Sequence, residues 1–157
     1  MALEFSPETL KQFDEVVSRY PEKKLAILPV LYMAQKEFGH LSQEAIEYVA
    51  NLMDIPAARL YGIVTFYTML NMKPMGRHHL QVCRTLPCAL RGSERITNYL
   101  KKKLGINLGE TTPDGKFTLS EVECLASCGT APVMQINDDY CENLSEENIE
   151  KIFGNLK

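Results

Sequence analysis

Apolar residues recur at helical spacing through the first half of the chain. The first such stretch opens with Ser6 and Pro7, a helix-capping residue followed by proline at the first helical position. Pro21 is expected to end this helix, because proline disrupts a helix interior. The positions expected to be buried along one face are Leu10, Phe13, Val16, Val17 and Tyr20. The pattern therefore predicts a short amphipathic helix.

Three more helices are predicted in this half. The second covers about residues 24–38 with Gly39 as its left-handed end, and Pro29 requires it to begin only three or four residues earlier or to kink. The third opens at Ser42 and the fourth at Pro56. Their expected buried residues are Ala45, Ile46, Val49, Ala50, Met53, Leu60, Val64 and Tyr67. Four short amphipathic helices joined by tight loops predict an antiparallel helical bundle over residues 1–74.

Beyond Asn71 strand-like alternation replaces part of the helical pattern. Strands are predicted at residues 79–83, 117–123 and 133–136, with one helix at residues 89–104 ending at Gly105 and a last helix capped by Ser145. Two strands separated by a long helix predict a parallel βαβ unit. The predicted fold class is therefore α+β, with the bundle followed by a thioredoxin-like α/β domain over residues 75–157.

Composition narrows the classes of protein to which the chain can belong. It has 157 residues, 45% apolar and 24% charged, enough for one ordinary core or two small packed units. A net charge of −3 lacks the basic excess that nucleic-acid binding needs. The longest apolar stretch is about ten residues, short of the roughly 20 that span a bilayer, and the start of the chain lacks a signal-peptide pattern. A soluble protein that is not exported is expected.

The cysteines carry the candidate chemistry. Cys83 and Cys88 form a C-x4-C pair, and Cys124 and Cys128 form a C-x3-C pair that begins 36 residues after Cys88. Each pair follows a predicted strand, and parallel strands end at the same edge of a sheet, so the four thiolates are expected to converge. Thiolates suit Zn²⁺ or an iron–sulfur cluster. The cysteines within each pair are farther apart in sequence than the two intervening residues usual in a zinc knuckle, and this spacing favours a two-iron cluster. Four free cysteines in a core are the remaining alternative.

The sequence around these cysteines resembles a known family. The matching runs are VCRTLPC at residues 82–88, TPDGKF at 112–117 and VECLASCGTAPVM at 122–134, with LPVL at 28–31 and VTFY at 64–67. They are similar to the NuoE family, the thioredoxin-like [2Fe–2S] subunit of NADH:quinone oxidoreductase (respiratory complex I). The resemblance implies a thioredoxin-like [2Fe–2S] ferredoxin domain in which Cys83, Cys88, Cys124 and Cys128 hold one cluster. Cys141 departs from the family pattern and is expected to be a spare thiol.

The same resemblance implies a function. It implies an electron-transfer subunit of an NADH dehydrogenase, whose cluster exchanges single electrons with the flavin mononucleotide of a NuoF-like partner subunit that also binds NADH. This chain has no G-x-G-x-x-G and no Walker A loop, so FMN and NADH are expected on the partner, and the chain is not expected to be catalytic alone. The expected location is cytoplasmic and peripheral to the inner membrane through the complex, without a membrane span.

Three alternatives stay open from the sequence. Similar chains occur in soluble NAD-linked hydrogenases and formate dehydrogenases, which the sequence separates poorly from complex I. A zinc-stabilised interaction module is the second alternative, and it would be colourless with stoichiometric zinc. A thiol redox protein is the third, and it is disfavoured because no C-x-x-C opens the helix after the first strand.

Residues other than the cysteines add three expectations. Arg84 lies between the first two cysteines, and its charge is expected to favour the reduced, more anionic form of a cluster. His78 and His79 adjoin the first strand, but histidine ligation as in Rieske centres is not expected, because four cysteines already complete a cluster. Phe66 and Tyr67 are expected to serve as core or subunit contacts rather than as an electron path.

Overall fold

The structure is a computed structural model that describes residues 3–156. It divides after Pro74 into two compact units, and each unit has a hydrophobic core of its own. The α+β class predicted from the sequence is confirmed. Within residues 3–156, no helix combines the length and the apolar composition needed to cross a bilayer.

The first unit is a bundle of four helices that pack against one another in chain order. The helices are α1 (Pro7–Ser18), α2 (Ile27–Phe38), α3 (Gln43–Met53) and α4 (Ala57–Phe66), and a short 3₁₀ turn (Lys23–Ala26) precedes α2. Two of the predicted caps are present. The Ser6 hydroxyl accepts a hydrogen bond from the Thr9 N–H at 3.3 Å, and the Ser42 hydroxyl accepts one from the Ala45 N–H at 3.2 Å. Local sequence therefore sets where α1 and α3 begin.

The start of α2 differs from the prediction. The α-helix begins at Ile27 rather than near Lys24, and the residues before it form the 3₁₀ turn. Pro29 is thus the third residue of α2, where a backbone N–H would have no partner inside the helix, so proline neither kinks nor ends it. Gly39 ends α2 with φ at +79°, the left-handed conformation that was predicted.

Burial in the bundle follows the prediction for α3 and departs from it for α1. All five predicted positions of α3 are buried. However, Leu10 of α1 and Tyr20, which lies beyond the end of this helix, are 37% and 38% exposed, and Phe13 is the large apolar side chain of α1 that is buried. The reason is that the Thr9 hydroxyl faces α2 and donates a hydrogen bond to Glu37 at 2.8 Å, which turns Leu10 outward.

The second unit is a four-stranded sheet with helices. Its elements are β1 (His78–Cys83), α5 (Leu86–Leu90), α6 (Ser93–Leu104), β2 (Phe117–Val122), β3 (Met134–Ile136), β4 (Asp139–Cys141) and α7 (Glu146–Asn155). The strand order is β2-β1-β3-β4, with β1 parallel to β2 and the other neighbours antiparallel. The predicted βαβ unit is therefore present, and α6 packs against both of its strands.

The helix predicted at residues 89–104 is two helices in the structure. Gly92 adopts φ +92° between α5 and α6, and this left-handed residue breaks the helical hydrogen-bond ladder. The first of the two helices begins earlier than predicted, at Leu86, so it contains Cys88. Gly105 ends α6 with φ +67°, as the sequence predicted.

Gly76 holds the chain against β2 just before β1 begins. Its N–H donates to the Thr118 hydroxyl at 2.7 Å. A Cβ atom at this position would lie 2.7 Å from the carbonyl carbon of Phe117, closer than real Cβ contacts allow. Glycine is therefore required for the close approach that sets β1 beside β2.

Candidate metal centre

The parallel pairing of β1 and β2 places both cysteine pairs at one edge of the sheet. Cys83 is the last residue of β1, and its partner in the register is Val122, the last residue of β2. Cys124 follows β2 by two residues, and Cys128 opens a 3₁₀ turn (Cys128–Thr130) beyond it. Cys88 lies in α5, directly after β1. Four residues that are distant in sequence thus belong to loops at the same strand ends.

The four cysteines divide into an inner and an outer pair. The inner pair, Cys83 and Cys88, is buried with 2% exposure at each residue, and the outer pair, Cys124 and Cys128, is exposed. The inner pair forms a small apolar cluster with Ala131 and Val133, and Leu125 from the outer loop packs against it. The site is therefore apolar on its protein side and open to solvent on the other.

Several hydrogen-bond donors surround the sulfur atoms. The Thr85 hydroxyl lies 3.3 Å from the Cys83 sulfur, and the Ala126 N–H donates to the Cys124 sulfur at 3.3 Å. Ala126 holds φ at +60°, a conformation rare for residues with a Cβ, and this turns its N–H toward the sulfur. Thiolates, whether free or bound to metal, gain stability from such donors.

The pKa values show that the pairs influence one another. Burial raises the pKa of Cys83, but hydrogen bonds from the Thr85 hydroxyl and from the Leu125 main chain outweigh it, so the pKa lies below its ordinary value. Burial raises the pKa of Cys88, and the sulfurs of Cys83 and Cys128 raise it further. Desolvation and the neighbouring Cys124 raise the pKa of Cys128. Sulfurs of the inner pair and of the outer pair therefore affect each other's pKa values.

The donor set of this site fits a two-iron cluster. A tetrahedral zinc site takes three or four protein ligands around one ion, whereas each iron of a [2Fe–2S] cluster takes two protein thiolates. Two neighbouring cysteine pairs of soft sulfur ligands meet the second requirement.

Arg84 forms an ion pair beside the cysteines, and its effect on the reduced form of a cluster stays a prediction. Its guanidinium binds the Glu123 carboxylate, with a distance of 3.0 Å from Nε to Oε1. Both side chains are well exposed, at 60% and 69%. Arg84 follows Cys83 and Glu123 precedes Cys124, so this ion pair joins the two cysteine loops.

The remaining candidates lie away from the four sulfurs. His79 is near the start of β1, four residues from Cys83, and its Nε2 lies 2.9 Å from the Ser120 hydroxyl. The His78 ring contacts the Phe117 ring, with 5.5 Å between centroids. Cys141 ends β4, where it is half-buried against the core of the second unit. Its neighbour in the strand register is Met134 of β3. Burial and Asp139 raise the pKa of this thiol.

Sequence reasoning missed the groups that contact the sulfurs. Thr85 lies inside the C-x4-C run, and a hydroxyl residue between two cysteines was a usable signal for a sulfur contact. The main-chain groups of Leu125 and Ala126 gave no such signal, because every non-proline residue carries an N–H. Their direction is set by the fold of the outer loop.

Comparison with known proteins identifies the class. A family model for thioredoxin-like [2Fe-2S] ferredoxins matches residues 13–157. The match extends across most of the chain and includes both cysteine pairs. The chain therefore belongs to the thioredoxin-like [2Fe–2S] ferredoxin family.

Particular relatives narrow this class. The E-subunit of the NADH-quinone oxidoreductase of Rickettsia conorii is 50% identical over 156 residues, which is 98% of this chain and 93% of the relative. An NADH-quinone oxidoreductase E-subunit of Rhizobium meliloti, the one numbered 2, is 44% identical over 147 residues, 94% of this chain and 88% of that one. The resemblance inferred from the sequence motifs is thereby confirmed.

The fold is also found in solved structures. A chain of an NAD+-reducing [NiFe]-hydrogenase in the air-oxidized state superimposes with a TM-score of 0.73 at 18% identity, over 83% of this chain. The present chain spans only 22% of the length of that hydrogenase chain. At this identity the likeness concerns the fold alone.

Proposed function

We propose that Cys83, Cys88, Cys124 and Cys128 hold one [2Fe–2S] cluster, and that the chain is the subunit of an NADH-quinone oxidoreductase that passes single electrons between this cluster and the flavin of an NADH-binding partner. The observation that carries the proposal is the parallel pairing of β1 with β2, which brings both cysteine loops to one edge of the sheet with Leu125 of the outer loop packed against the inner pair. The relatives named above support this host over a hydrogenase or a formate dehydrogenase.

Each cysteine pair has its own part in this proposal. The inner pair is positioned by β1 and α5 among apolar side chains, which limit solvent access to these two sulfurs. The outer pair is held by the loop after β2 and faces solvent, where a partner can approach. When bound, a cluster of this kind supplies reversible one-electron transfer. The protein supplies position, low polarity and hydrogen bonds to sulfur.

The partner is expected on a separate chain, and the bundle is its proposed docking element. None of the four cysteines lies in the bundle, yet the bundle exposes large apolar side chains such as Phe66, at 76%, and Tyr61, at 50%. Tyr61 also lines a groove together with Gln43, Ile46, Glu47, Ala57 and Ala58. Apolar surface that a folded unit leaves exposed is typical of interfaces. In the assembled enzyme the chain is proposed to lie on the cytoplasmic face of the inner membrane.

Metal analysis tests the cofactor. The full chain, purified without oxygen, is expected to be red-brown and to contain about two irons and two acid-labile sulfides. It is expected to give an electron paramagnetic resonance (EPR) signal only after reduction. One zinc per chain without sulfide would contradict the proposal and favour the zinc-stabilised module.

Co-purification tests the host and the docking element. A tagged full chain recovered from native membranes is expected to bring a flavoprotein that oxidises NADH, whereas nickel-containing subunits would indicate a hydrogenase. A Phe66→Ser variant is expected to retain less flavoprotein with an intact cluster, and Lys11→Ser on exposed α1 surface is the matched control. Equal recovery by Phe66→Ser, and by a variant beginning at Met75, would refute the docking role.

A further inference from the structure

Thr85 occupies a helix-capping position without capping the helix. It is the N-cap residue of α5, with φ −75° and ψ 168°, yet its side chain makes no capping hydrogen bond. A capping hydroxyl ordinarily accepts from the second or third N–H of a helix. In α5 the second residue is Pro87, which has no N–H to offer. The hydroxyl is directed instead to the Cys83 sulfur, 3.3 Å away.

The chemistry of the sulfur fixes which atom donates. A cysteine sulfur bound to metal is a thiolate and carries no proton, so in the loaded protein only the Thr85 hydroxyl can donate. The bond is therefore charge-assisted. Reduction adds one electron and increases the negative charge on the sulfurs, so the donor stabilises the reduced state more than the oxidised state. The hydroxyl proton stays on Thr85 throughout.

We propose that Thr85 is a positioning residue for Cys83, and that the hydrogen bond from its hydroxyl to the Cys83 sulfur raises the reduction potential of the cluster. This inference rests on the proposed function, because it requires the cluster to be bound through Cys83. Hydrogen bonds to cysteine sulfur are one of the means by which a protein sets such potentials.

Burial makes this hydrogen bond effective. Cys83 is 2% exposed, so water does not replace the hydroxyl when it is removed. The other donors that act on these sulfurs, which include Leu125, Ala126 and Val133, are main-chain groups whose positions are fixed by the backbone. Thr85 is therefore the donor through which a side-chain substitution can change the potential without changing the ligands.

Substitution of Thr85 in the full chain tests the proposal. Thr85→Val keeps the shape and removes the hydroxyl, and Thr85→Ser keeps the hydroxyl. The midpoint potential is measured by dithionite titration with mediator dyes, followed by EPR. We expect a more negative potential for Thr85→Val, outside the reproducibility of the titration, and a potential close to wild type for Thr85→Ser.

A matched control is available in the same unit. Thr97 in α6 is buried, and among the buried polar side-chain atoms of residues 3–156 its hydroxyl is the one without a hydrogen-bond partner. Thr97→Val makes the same chemical change away from the sulfurs, and we expect the potential of this variant to equal that of wild type. A shift as large as that of Thr85→Val would overturn the proposal.

A second readout addresses the bond itself. Electron–nuclear double resonance of the reduced protein in H2O and D2O is expected to show an exchangeable proton coupled to the cluster in wild type and in Thr85→Ser, and to lose it in Thr85→Val. Thr85→Ala also removes the hydroxyl. If Thr85→Val does not bind iron, the midpoint potential of Thr85→Ala is compared with that of wild type instead. An unchanged potential in whichever of these two variants loads iron overturns the inference, while the iron and sulfide content of wild type separately tests the proposed function.

Discussion

The two units of the molecule use buried residues for different purposes. In the bundle, the buried side chains form one apolar core, and the cysteines are absent from it. In the second unit, the buried residues form a sheet core and, separately, a small group at the strand ends that contains Cys83 and Cys88. Burial in the bundle serves stability, whereas at the strand ends it also shields a reactive site.

The difference follows from how each unit brings residues together. Consecutive helices of the bundle pack against one another, and its core also joins distant residues through side chains, as the Phe5 and Tyr48 rings do. The cysteine pairs lie 36 residues apart, and only the parallel register of β1 with β2 brings them to one edge. A site made of distant residues thus depends on a long-range strand pairing. The predictions below test this contrast between the units.

The largest effect is expected for the cysteines. Cys83→Ser, or the same substitution at Cys88, Cys124 or Cys128, is expected to lower iron content from about two per chain to near zero, because one iron loses a thiolate. Cys141→Ser is the matched control, since this thiol packs on the sheet core. Visible absorbance and iron analysis measure the outcome. Loss of the cluster in Cys141→Ser but not in one of the other variants would show that the ligand set is wrong.

Leu→Ala substitutions in the two cores are expected to show that the two units unfold separately. Leu31 in α2 and Leu119 in β2 are both fully buried. Replacing either by Ala is expected to lower the free energy of unfolding by about 2–5 kcal/mol. In urea titrations, Leu119→Ala should lose visible absorbance at a lower concentration than wild type, because β2 leads into the outer cysteine loop. Leu31→Ala should lose helical circular dichroism first; an equal early loss of absorbance would indicate one cooperative unit.

Glycine substitutions give the next effect, with opposite signs in the two units. Gly76→Ala would place a Cβ 2.7 Å from the Phe117 main chain, so the strands must shift, and a loss of roughly 1–3 kcal/mol is expected. Gly62→Ala on exposed α4 meets no atom within 4 Å and is expected to stabilise the chain by about 0.5–1 kcal/mol. Urea midpoints measure both, and a stabilising Gly76→Ala would contradict the close approach.

The smallest effect is a pH dependence located in the sheet unit. Burial lowers the pKa of His79 in the folded chain. The unfolded chain therefore binds more protons in slightly acidic solution, so the free energy of unfolding is expected to fall as pH decreases below about 6.5. His79→Gln removes this contribution and should give a flatter dependence between pH 5.5 and 7.5 in the same buffers. Identical slopes for the two proteins would show that His79 does not titrate as described.

The sequence alone determined the features that depend on neighbouring residues. Ser6, Ser42 and Gly39 set helix ends through their own backbone preferences, and the amphipathic spacing of α3 predicted its buried face correctly. The alternation of β1 and β2 around a helical segment was enough to predict a parallel pair. The cysteine spacing and the surrounding motifs were enough to predict the family, and the comparisons confirmed it.

Only the tertiary structure decided which groups meet across the chain. The turn at Gly92 divides a segment that reads as one helix, since a glycine within a helical pattern does not reveal its φ angle. The pairing of Arg84 with Glu123, the contact of Thr85 with Cys83 and the approach of the Leu125 main chain all lie at the ends of paired strands. Local periodicity carries no information about such contacts, because they arise from strand register and loop conformation, which form only when the whole sheet is assembled.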